Sequence, residues 1–574
     1  MIKNIINPRK SWLIYFFLLI IYFLFGINTI ENISPTYDEP VQIACGYSYW
    51  KTSEFRFYNI YYHPPFANQF ATLPLVFLNP NLYVSHPYFQ NSQQHFYADL
   101  FLYRNRISAE KIVNSTRLMI LSLSCFLGFF VFLWSKSIYK DTTGLIVSIF
   151  YFFSSNIIAH STVTTTDIAV TCFLFLSVYF FYLYINSGKL KYNILCAIVT
   201  SIAVCSKFSG LILFPIYFLI FFIEYKNTEK FAKKIFRDAL FFVFIFIFLS
   251  AMIYKFSHFK LFFQGIKYLI SDIQQRGRSS FFFGMYSTTG WRHYFLVLFL
   301  VKTPIPFLLL LFGNLFLSLK KKSLFRTRED IFLLIPPAII LLAASFSKLQ
   351  IGLRHILPVY PFLFVWTGNF VEYLLTFNVS KTKHFLKTIC LIFLITWYII
   401  SFLKIHPCHI SYFNEIIGDA SNGYKYFTDS NIDWGQGLKA LGKWFKEKGL
   451  KGIYFCYFGT GDPSYYEIKY IPIGFIDNLS PQQRKGDKIE FTQDDKILFA
   501  ISITNLQATY YSDKKIFDWL KEIEPVKRIA YSIFVYDLTD NPAALKKLAD
   551  IFYSVGNVEQ ANSLAKRSKL CKKN

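Results

Sequence analysis

Long apolar runs separated by short basic loops leave this chain few folds to adopt. Runs suited to helices lie at about 12–30, 116–135, 143–159, 168–186, 192–206, 208–223, 238–255, 293–318, 331–346, 355–373 and 388–404. In hydrocarbon every backbone N–H and C=O must be satisfied within the chain, so these runs predict about eleven transmembrane helices, give or take one or two. The loop charges are an independent test. With Lys3, Arg9 and Lys10 inside, Lys136 and Lys140 also fall inside, as do Lys189 and Lys191. Next come Lys226, Lys230, Lys233, Lys234 and Arg237, then Lys320 to Lys322, Arg326 and Arg328, and last Lys381, Lys383 and Lys387. Every clearly basic short loop lands on one side, as the positive-inside rule requires. A net charge of +25 would suggest nucleic acid in a soluble chain. Here it reads as a topology signal, and with 54% hydrophobic and 17% charged residues the fold class is mainly α, a polytopic membrane protein. The first run is too long for a signal-peptide core and lacks a small-residue cleavage site, so it is expected to stay as an anchor.

That alternation divides the chain into a membrane domain, 1–404, and an outer part. The first outer loop, 31–115, is aromatic and proline-punctuated, with Tyr47-Ser48-Tyr49-Trp50 and Tyr61-Tyr62-His63-Pro64-Pro65 suiting short interfacial helices. From about His406 the composition turns soluble. A helix over Gly435–Lys448 and strands near Gly452–Tyr457, Lys496–Ile503 and Ile529–Tyr536 predict a small α/β domain over 405–540 on the outer face. The tail, 541–574, reads as a helical hairpin resembling one tetratricopeptide unit, too short for a solenoid and suited to docking.

Two adjacent carboxylates mark the exit from the first run, in Ser34-Pro35-Thr36-Tyr37-Asp38-Glu39-Pro40. The flanking prolines keep them out of a continuing helix, and charge at that depth is costly without a partner or a task. Other ionisable residues recur at the same face. Asp167 heads the fourth run after Thr164-Thr165-Thr166, where a helix cap is the plainer reading. Arg117 opens the second run and Lys207 sits between two short ones, both suited to interfacial anchoring. Arg354-His355 opens the tenth run. Together they set carboxylates and cations around an amphipathic loop at one membrane face. That suits a substrate with a lipid tail in the bilayer and an anionic head at its surface.

Such a site can transfer a group. A phosphate leaving group needs fixed cations, an attacking hydroxyl needs a carboxylate base, and an oxocarbenium-like sugar carbon is stabilised by nearby negative charge. No P-loop, dinucleotide fingerprint, H-E-x-x-H or G-x-S-x-G stands in a supporting context. The nine cysteines show no C-x-x-C spacing, and Cys125, Cys172 and Cys196 lie inside apolar runs, so neither a metal cluster nor a disulfide framework follows. Cys45, Cys408 and Cys456 could share the outer side, and nothing in the sequence pairs them.

At Thr36-Tyr37-Asp38-Glu39-Pro40 with His63-Pro64-Pro65, the chain resembles the family 39-like, lipid-carrier-dependent glycosyltransferases, related to the protein O-mannosyltransferases and the lipid A aminoarabinose transferase. The resemblance continues through Asn114-Ser115-Thr116-Arg117-Leu118, Thr165-Thr166-Asp167, Ser206-Lys207-Phe208-Ser209-Gly210 and Tyr286-Ser287-Thr288-Thr289-Gly290-Trp291. It runs on through Lys302-Thr303-Pro304, Gly352-Leu353-Arg354-His355 with Pro358-Val359-Tyr360-Pro361, and Asp429-Ser430-Asn431-Ile432-Asp433-Trp434-Gly435-Gln436. It implies a GT-C fold, a polyprenyl-phosphate sugar donor, and catalysis at the outer face with Asp38 as base on the acceptor hydroxyl. Glu39 and Asp167 are the further acidic candidates. Arg117, Lys207, Arg354 and His355 are the donor-phosphate candidates, and Tyr37, His63, Pro64 and Pro65 form the donor and acceptor loop. Asn68 stands where the family pattern often has lysine, and Tyr62 where an acidic residue is common, which puts a phosphate contact and a metal ligand in question; a divalent metal is possible but not required by the sequence.

The sequence therefore points to a membrane glycosyltransferase moving a monosaccharide from a polyprenyl phosphate to a protein, lipid or glycan hydroxyl. The expected location is the bacterial inner (plasma) membrane, with a cytoplasmic N-terminus and a periplasmic C-terminal domain. No nucleic-acid partner is expected. A transporter or lipid flippase is the alternative, and it should show inverted repeats and mid-bilayer charges.

Overall fold

The computed structural model describes residues 8–225, 232–275, 277–320, 324–325, 327–376, 380–473 and 486–571. Of the basic loop residues, Lys3, Lys226, Lys230, Lys321, Lys322 and Arg326 lie outside these, as do the side chains of Lys233 and Lys234. Every apolar run is helical. Among the described residues, five helices are long and apolar enough to cross a membrane, namely Arg9–Asn32, Ala109–Ile138, Asp167–Ser187, Phe236–Ile253 and Lys381–Ile405. Two bent pairs raise that number to seven by length and composition, and the other runs form shorter helices such as Leu190–Ser206 and Val359–Leu375.

Two of the apolar runs are bent. Run 293–318 splits into Tyr294–Lys302 and Ile305–Lys320, which meet at 117°. Pro304 forces the preceding Thr303 to extended backbone (φ −102°, ψ 130°), which no helix continues through. Run 143–159 breaks by 60° into Asp141–Phe152 and Ser155–Ser161, where Ser154 Oγ accepts from Ile157 N at 3.4 Å as a new cap.

Ion pairs tie the helices together at the end opposite the C-terminal domain. Lys136 lies 3.1 Å from Asp141, Arg328 2.8 Å from Glu224, and Lys140 meets Glu372. At the other end the first loop folds into short helices, Glu39–Thr52, Pro65–Ala71, Leu73–Leu78 and Gln94–Tyr103, as its aromatic, proline-marked sequence predicts. Close approach is built in here, since a Cβ on Gly46 would sit 2.4 Å from the carbonyl oxygen of Asn68. The helix carrying Asp38 at its N-cap is thereby pressed onto the one that begins at Pro65.

A small hairpin pairs β1 (Ser280–Phe282) with β2 (Met285–Ser287). The C-terminal domain holds β3 (Ile453–Cys456), β4 (Tyr470–Pro472), β5 (Leu498–Ser502), β6 (Lys527–Ile529) and β7 (Ile533–Asp537). They form one sheet in the order β4-β3-β5-β7-β6, parallel across β4-β3-β5 and antiparallel beyond. Helix Leu438–Glu447 buries Leu438, Leu441 and Phe445 against it. The last two helices, Pro542–Ser554 and Val558–Cys571, form a hairpin that buries Leu545, Leu548, Phe552 and Leu564. Arg567 clasps this hairpin to the domain through the carbonyls of Thr492 (2.7 Å) and Gln493 (3.1 Å).

Candidate active site at the domain face of the membrane

The chain from Ser34 to Glu39 lies between the helices and the C-terminal domain. Ser34 N donates to Gln436 O at 3.1 Å, Tyr37 N to Trp434 O at 2.8 Å, and Leu438 N to Ser34 Oγ at 3.0 Å. Tyr37 also stacks on Phe458, with ring centroids 5.3 Å apart. The polar run 429–436 therefore shapes the same cleft as the two carboxylates.

Neighbours in sequence, Asp38 and Glu39 face different surroundings. Glu39 is wholly buried and takes five hydrogen bonds. Arg117 Nε reaches Oε1 at 2.8 Å and Nη2 reaches Oε2 at 2.7 Å. Thr164 N donates to Oε1 at 2.6 Å, and Thr36 N and Oγ1 donate to Oε2 at 2.7 and 3.0 Å. Arg117, equally buried, directs its remaining N–H groups to the carbonyls of Ile30 (3.3 Å), Ile33 (3.0 Å) and Ser34 (2.9 Å). A guanidinium has five N–H donors, and all five are engaged. The geometry corrects two expectations: Arg117 holds no donor free for a phosphate, and Glu39 holds no lone pair free for a proton.

Asp38 differs. Its side chain keeps 28% of its surface open, and among the described residues only Oδ2 is engaged, by Arg354 Nη1 at 2.7 Å. Burial alone would raise this carboxyl, but Arg354, with His63 and Arg278 beyond it, holds it below the usual carboxylate value. Asp38 is thus an ionised group with one oxygen facing the cleft.

Arg354 lies over Trp434, its guanidinium carbon 4.4 Å from the ring centroid. The segment that carries it is fixed from the domain: Leu353 N donates to Asn431 Oδ1 at 3.0 Å, and Ser430 Oγ to Ile351 O at 2.7 Å. Glycine is needed between them, because a Cβ on Gly352 would lie 2.1 Å from Ser430 Oγ. Lys302 ties the bent pair to the domain in the same way, with Nζ donating to Ile410 O at 2.8 Å and to Asn431 O.

Asp167 accepts from Lys207 Nζ at 2.7 Å and from Thr165 Oγ1 at 3.0 Å. Lys207 keeps two of its three donors and some exposure. His63 feels Asp38, Lys207, Arg354 and Asp167 together, and burial pushes it down to about 4, so it is neutral at pH 7. His355 lies among Lys207, Arg354, Asp167 and Arg278; burial lowers it as well, and among the described residues its Nε2 has no partner. Pro64 and Pro65 start the helix behind His63, and the nearby Asn68 is buried. The structure thus gathers Asp38, Asp167, Lys207, Arg354, His355 and His63 into one electrostatic neighbourhood.

Sequence reasoning did not single out Asp429, Trp434, Tyr510 or Arg278. Asp429, at φ 56°, accepts from Ser430 N at 2.5 Å and from Tyr510 Oη, and burial raises its carboxyl. The exposed Arg278 acts on Asp38, His355 and Tyr510 alike. Asp429 and Trp434 lie in the run 429–436, but that run does not reveal their nearness to Arg354. Among the described residues no group of three or more His, Cys, Asp or Glu side chains could hold a metal ion.

A helical membrane body, a cleft of carboxylates and cations at one face, and an α/β domain roofing it define the GT-C architecture. Residues 110–275 match the family described as dolichyl-phosphate-mannose-protein mannosyltransferase. The structure is similar to ArnT from Cupriavidus metallidurans bound to undecaprenyl phosphate, with a TM-score of 0.51 and 11% identity over 92% of this chain and 98% of that one. Apo ArnT from the same organism gives a TM-score of 0.49 and 12% identity over the same shares. The oligosaccharyltransferase of Archaeoglobus fulgidus in complex with zinc and sulfate gives 0.45 and 10% identity over 86% of this chain and 69% of that one. No curated protein matches the chain in sequence. The chain has the GT-C fold.

Proposed function

We propose that this protein is a membrane glycosyltransferase that moves a monosaccharide from a polyprenyl-phosphate carrier to an acceptor hydroxyl at the outer face. The observation that carries the reading is Asp38, an ionised carboxylate with one oxygen bound by Arg354 and the other facing the cleft. In the transfer step the acceptor oxygen bonds to the anomeric carbon as the bond from that carbon to the phosphate oxygen breaks. The acceptor proton passes to Asp38, and the carrier phosphate leaves with the bonding electron pair. Lys207 and Arg354 supply the cations for that phosphate, with the exposed Arg278 beside them. His355 Nε2, buried without a partner among the described residues, is a further contact for the donor head. Asp167 orients Lys207 and adds negative charge near the sugar carbon. Tyr37, His63, Pro64 and Pro65 wall the cleft. The likeness to a structure of ArnT bound to undecaprenyl phosphate supports a polyprenyl carrier. A transporter needs ionisable groups near mid-bilayer, whereas the site's ion pairs all lie at the domain end.

The test is Asp38→Asn. An amide of the same shape cannot take the proton, so transfer should fall by about a hundred- to ten-thousand-fold with donor binding retained. Mass spectrometry of outer-face glycans from cells with and without the protein identifies the product. Near-normal transfer by Asp38→Asn would remove Asp38 from the mechanism.

A further inference from the structure

A second cationic site lies apart from the cleft, in the first loop. Tyr47, Lys51, Asn79, Pro80, Leu82 and Arg106 line a groove of about 370 Å³, and no carboxylate lines it. Asn79, held at φ 50°, joins its two cations: Lys51 Nζ donates to Asn79 Oδ1 at 2.9 Å, and Arg106 Nη2 donates to Asn79 O. Tyr47 Oη braces the same turn through Asn79 Oδ1 and Pro80 O, each at 3.2 Å. Among the described residues neither Lys51 nor Arg106 has an acidic partner, and both are exposed. Lys51 keeps two donors and Arg106 keeps four.

What lies beside the groove sets the kind of anion it takes. The short helix Leu73–Leu78 ends at Asn79 and packs against Ala109–Ile138, a helix long and apolar enough to span the membrane. Its outer side is bare hydrocarbon: Phe77 is 83% exposed, with Leu73 exposed beside it. An exposed aromatic so placed suits the acyl region of a bilayer, and cations one turn further on suit its headgroups.

We propose that this groove binds the phosphate of an anionic phospholipid in the leaflet on the domain side, with the acyl chains along Leu73 and Phe77. Lys51 and Arg106 grip the phosphate oxygens, and the lipid anchors the first loop, whose residue Asp38 faces the cleft. The site is independent of which group the cleft transfers.

Native mass spectrometry tests it on the full-length protein released from phosphatidylcholine nanodiscs containing dioleoyl phosphatidylglycerol. The wild type should retain one phosphatidylglycerol that the Lys51→Gln/Arg106→Gln double variant loses. Affinity should fall about tenfold or more, because hydrogen bonds between charged groups are being removed. Phe77→Ser should weaken phosphatidylglycerol retention with phosphatidylcholine unchanged, and Lys51→Arg should keep it. If the double variant does not purify as a folded species, Lys51→Gln alone should show the loss. Equal retention by the wild type and the charge-removed variants overturns the proposal. So does displacement of the lipid by millimolar inorganic phosphate with no effect of Phe77→Ser, which would mark a site for a soluble anion.

Discussion

Arg117 meets Glu39 through two parallel hydrogen bonds, Nε to Oε1 at 2.8 Å and Nη2 to Oε2 at 2.7 Å, with both side chains out of solvent. This pairing separates the roles of two adjacent carboxylates. It clamps the end of the first helix, whose carbonyls at Ile30 and Ile33 the same guanidinium holds, and leaves Asp38 to face the cleft.

The clamp should behave as structure. Glu39→Gln leaves a buried guanidinium opposite a neutral amide, and breaking a buried pair from one side costs about 3–5 kcal/mol. Arg117→Lys loses most of five hydrogen bonds to an ammonium that cannot form the fork. Both variants should show a lower thermal midpoint and poorer recovery from membranes. The residual folded fraction should bind donor with near-normal affinity. A variant of normal stability with donor affinity selectively lost would return Arg117 to the phosphate.

Arg354 should give the opposite pattern. Its charge survives in Arg354→Lys, but the bond to Asp38 Oδ2 and the stack on Trp434 depend on the planar group. Donor affinity and transfer rate should both fall, with the protein still inserted. Trp434→Leu, which removes the platform alone, should produce a weaker version of the same loss. Titration with a polyprenyl-phosphate donor checks both, and unchanged affinity in Arg354→Lys would exclude a phosphate contact there.

The pH dependence follows from Asp38 and His63. Arg354 and its neighbours hold Asp38 below the ordinary carboxylate value, so it stays ionised through the ordinary carboxylate range. Burial lowers His63 to about 4, so it stays neutral well below the usual histidine value of about 6.5. For both groups the folded value is the lower one. The stability they contribute is present above their unfolded values and is lost as pH falls through the folded ones. Initial transfer rates should therefore be flat from about pH 8 to about pH 5 and fall below that. A fall centred near 6.5 would mean that His63 is not buried as described.

Much of the membrane body was legible because hydrophobic length and loop charge are local signals. All eleven apolar runs are helical, and the bends fall where a local rule acts, as at Thr303-Pro304. The soluble domain was read in outline, since Leu438–Glu447 and β3, β5 and β7 carry strong patterns. The three-residue strand β4 was missed because it is too short to show a period. At the site, the residues themselves brought out the charged groups, and only the family resemblance singled out Asp38 as the base. Which of Asp38 and Glu39 points to the cleft depends on Arg117, 78 residues beyond Glu39, and on Thr164. The stack of Trp434 on Arg354 joins segments with no common pattern.

Membrane orientation is the remaining expectation, and the mechanism depends on it. Of the basic loop residues, Lys136, Lys140 and Arg328 lie in the ion pairs at one end, with Asp141, Glu372 and Glu224, and the cleft lies at the other. By the positive-inside rule, the cleft and the C-terminal domain are expected outside. Single cysteines introduced at Lys446 and Lys383, both exposed, separate the two faces when native cysteines such as the exposed Cys390 have been replaced. A membrane-impermeant maleimide added to intact cells or spheroplasts should label the Lys446→Cys protein and leave Lys383→Cys unlabelled until the membrane is opened. The reverse pattern would put Asp38 on the cytoplasmic side, and transfer to an outer-face acceptor could not proceed from that cleft.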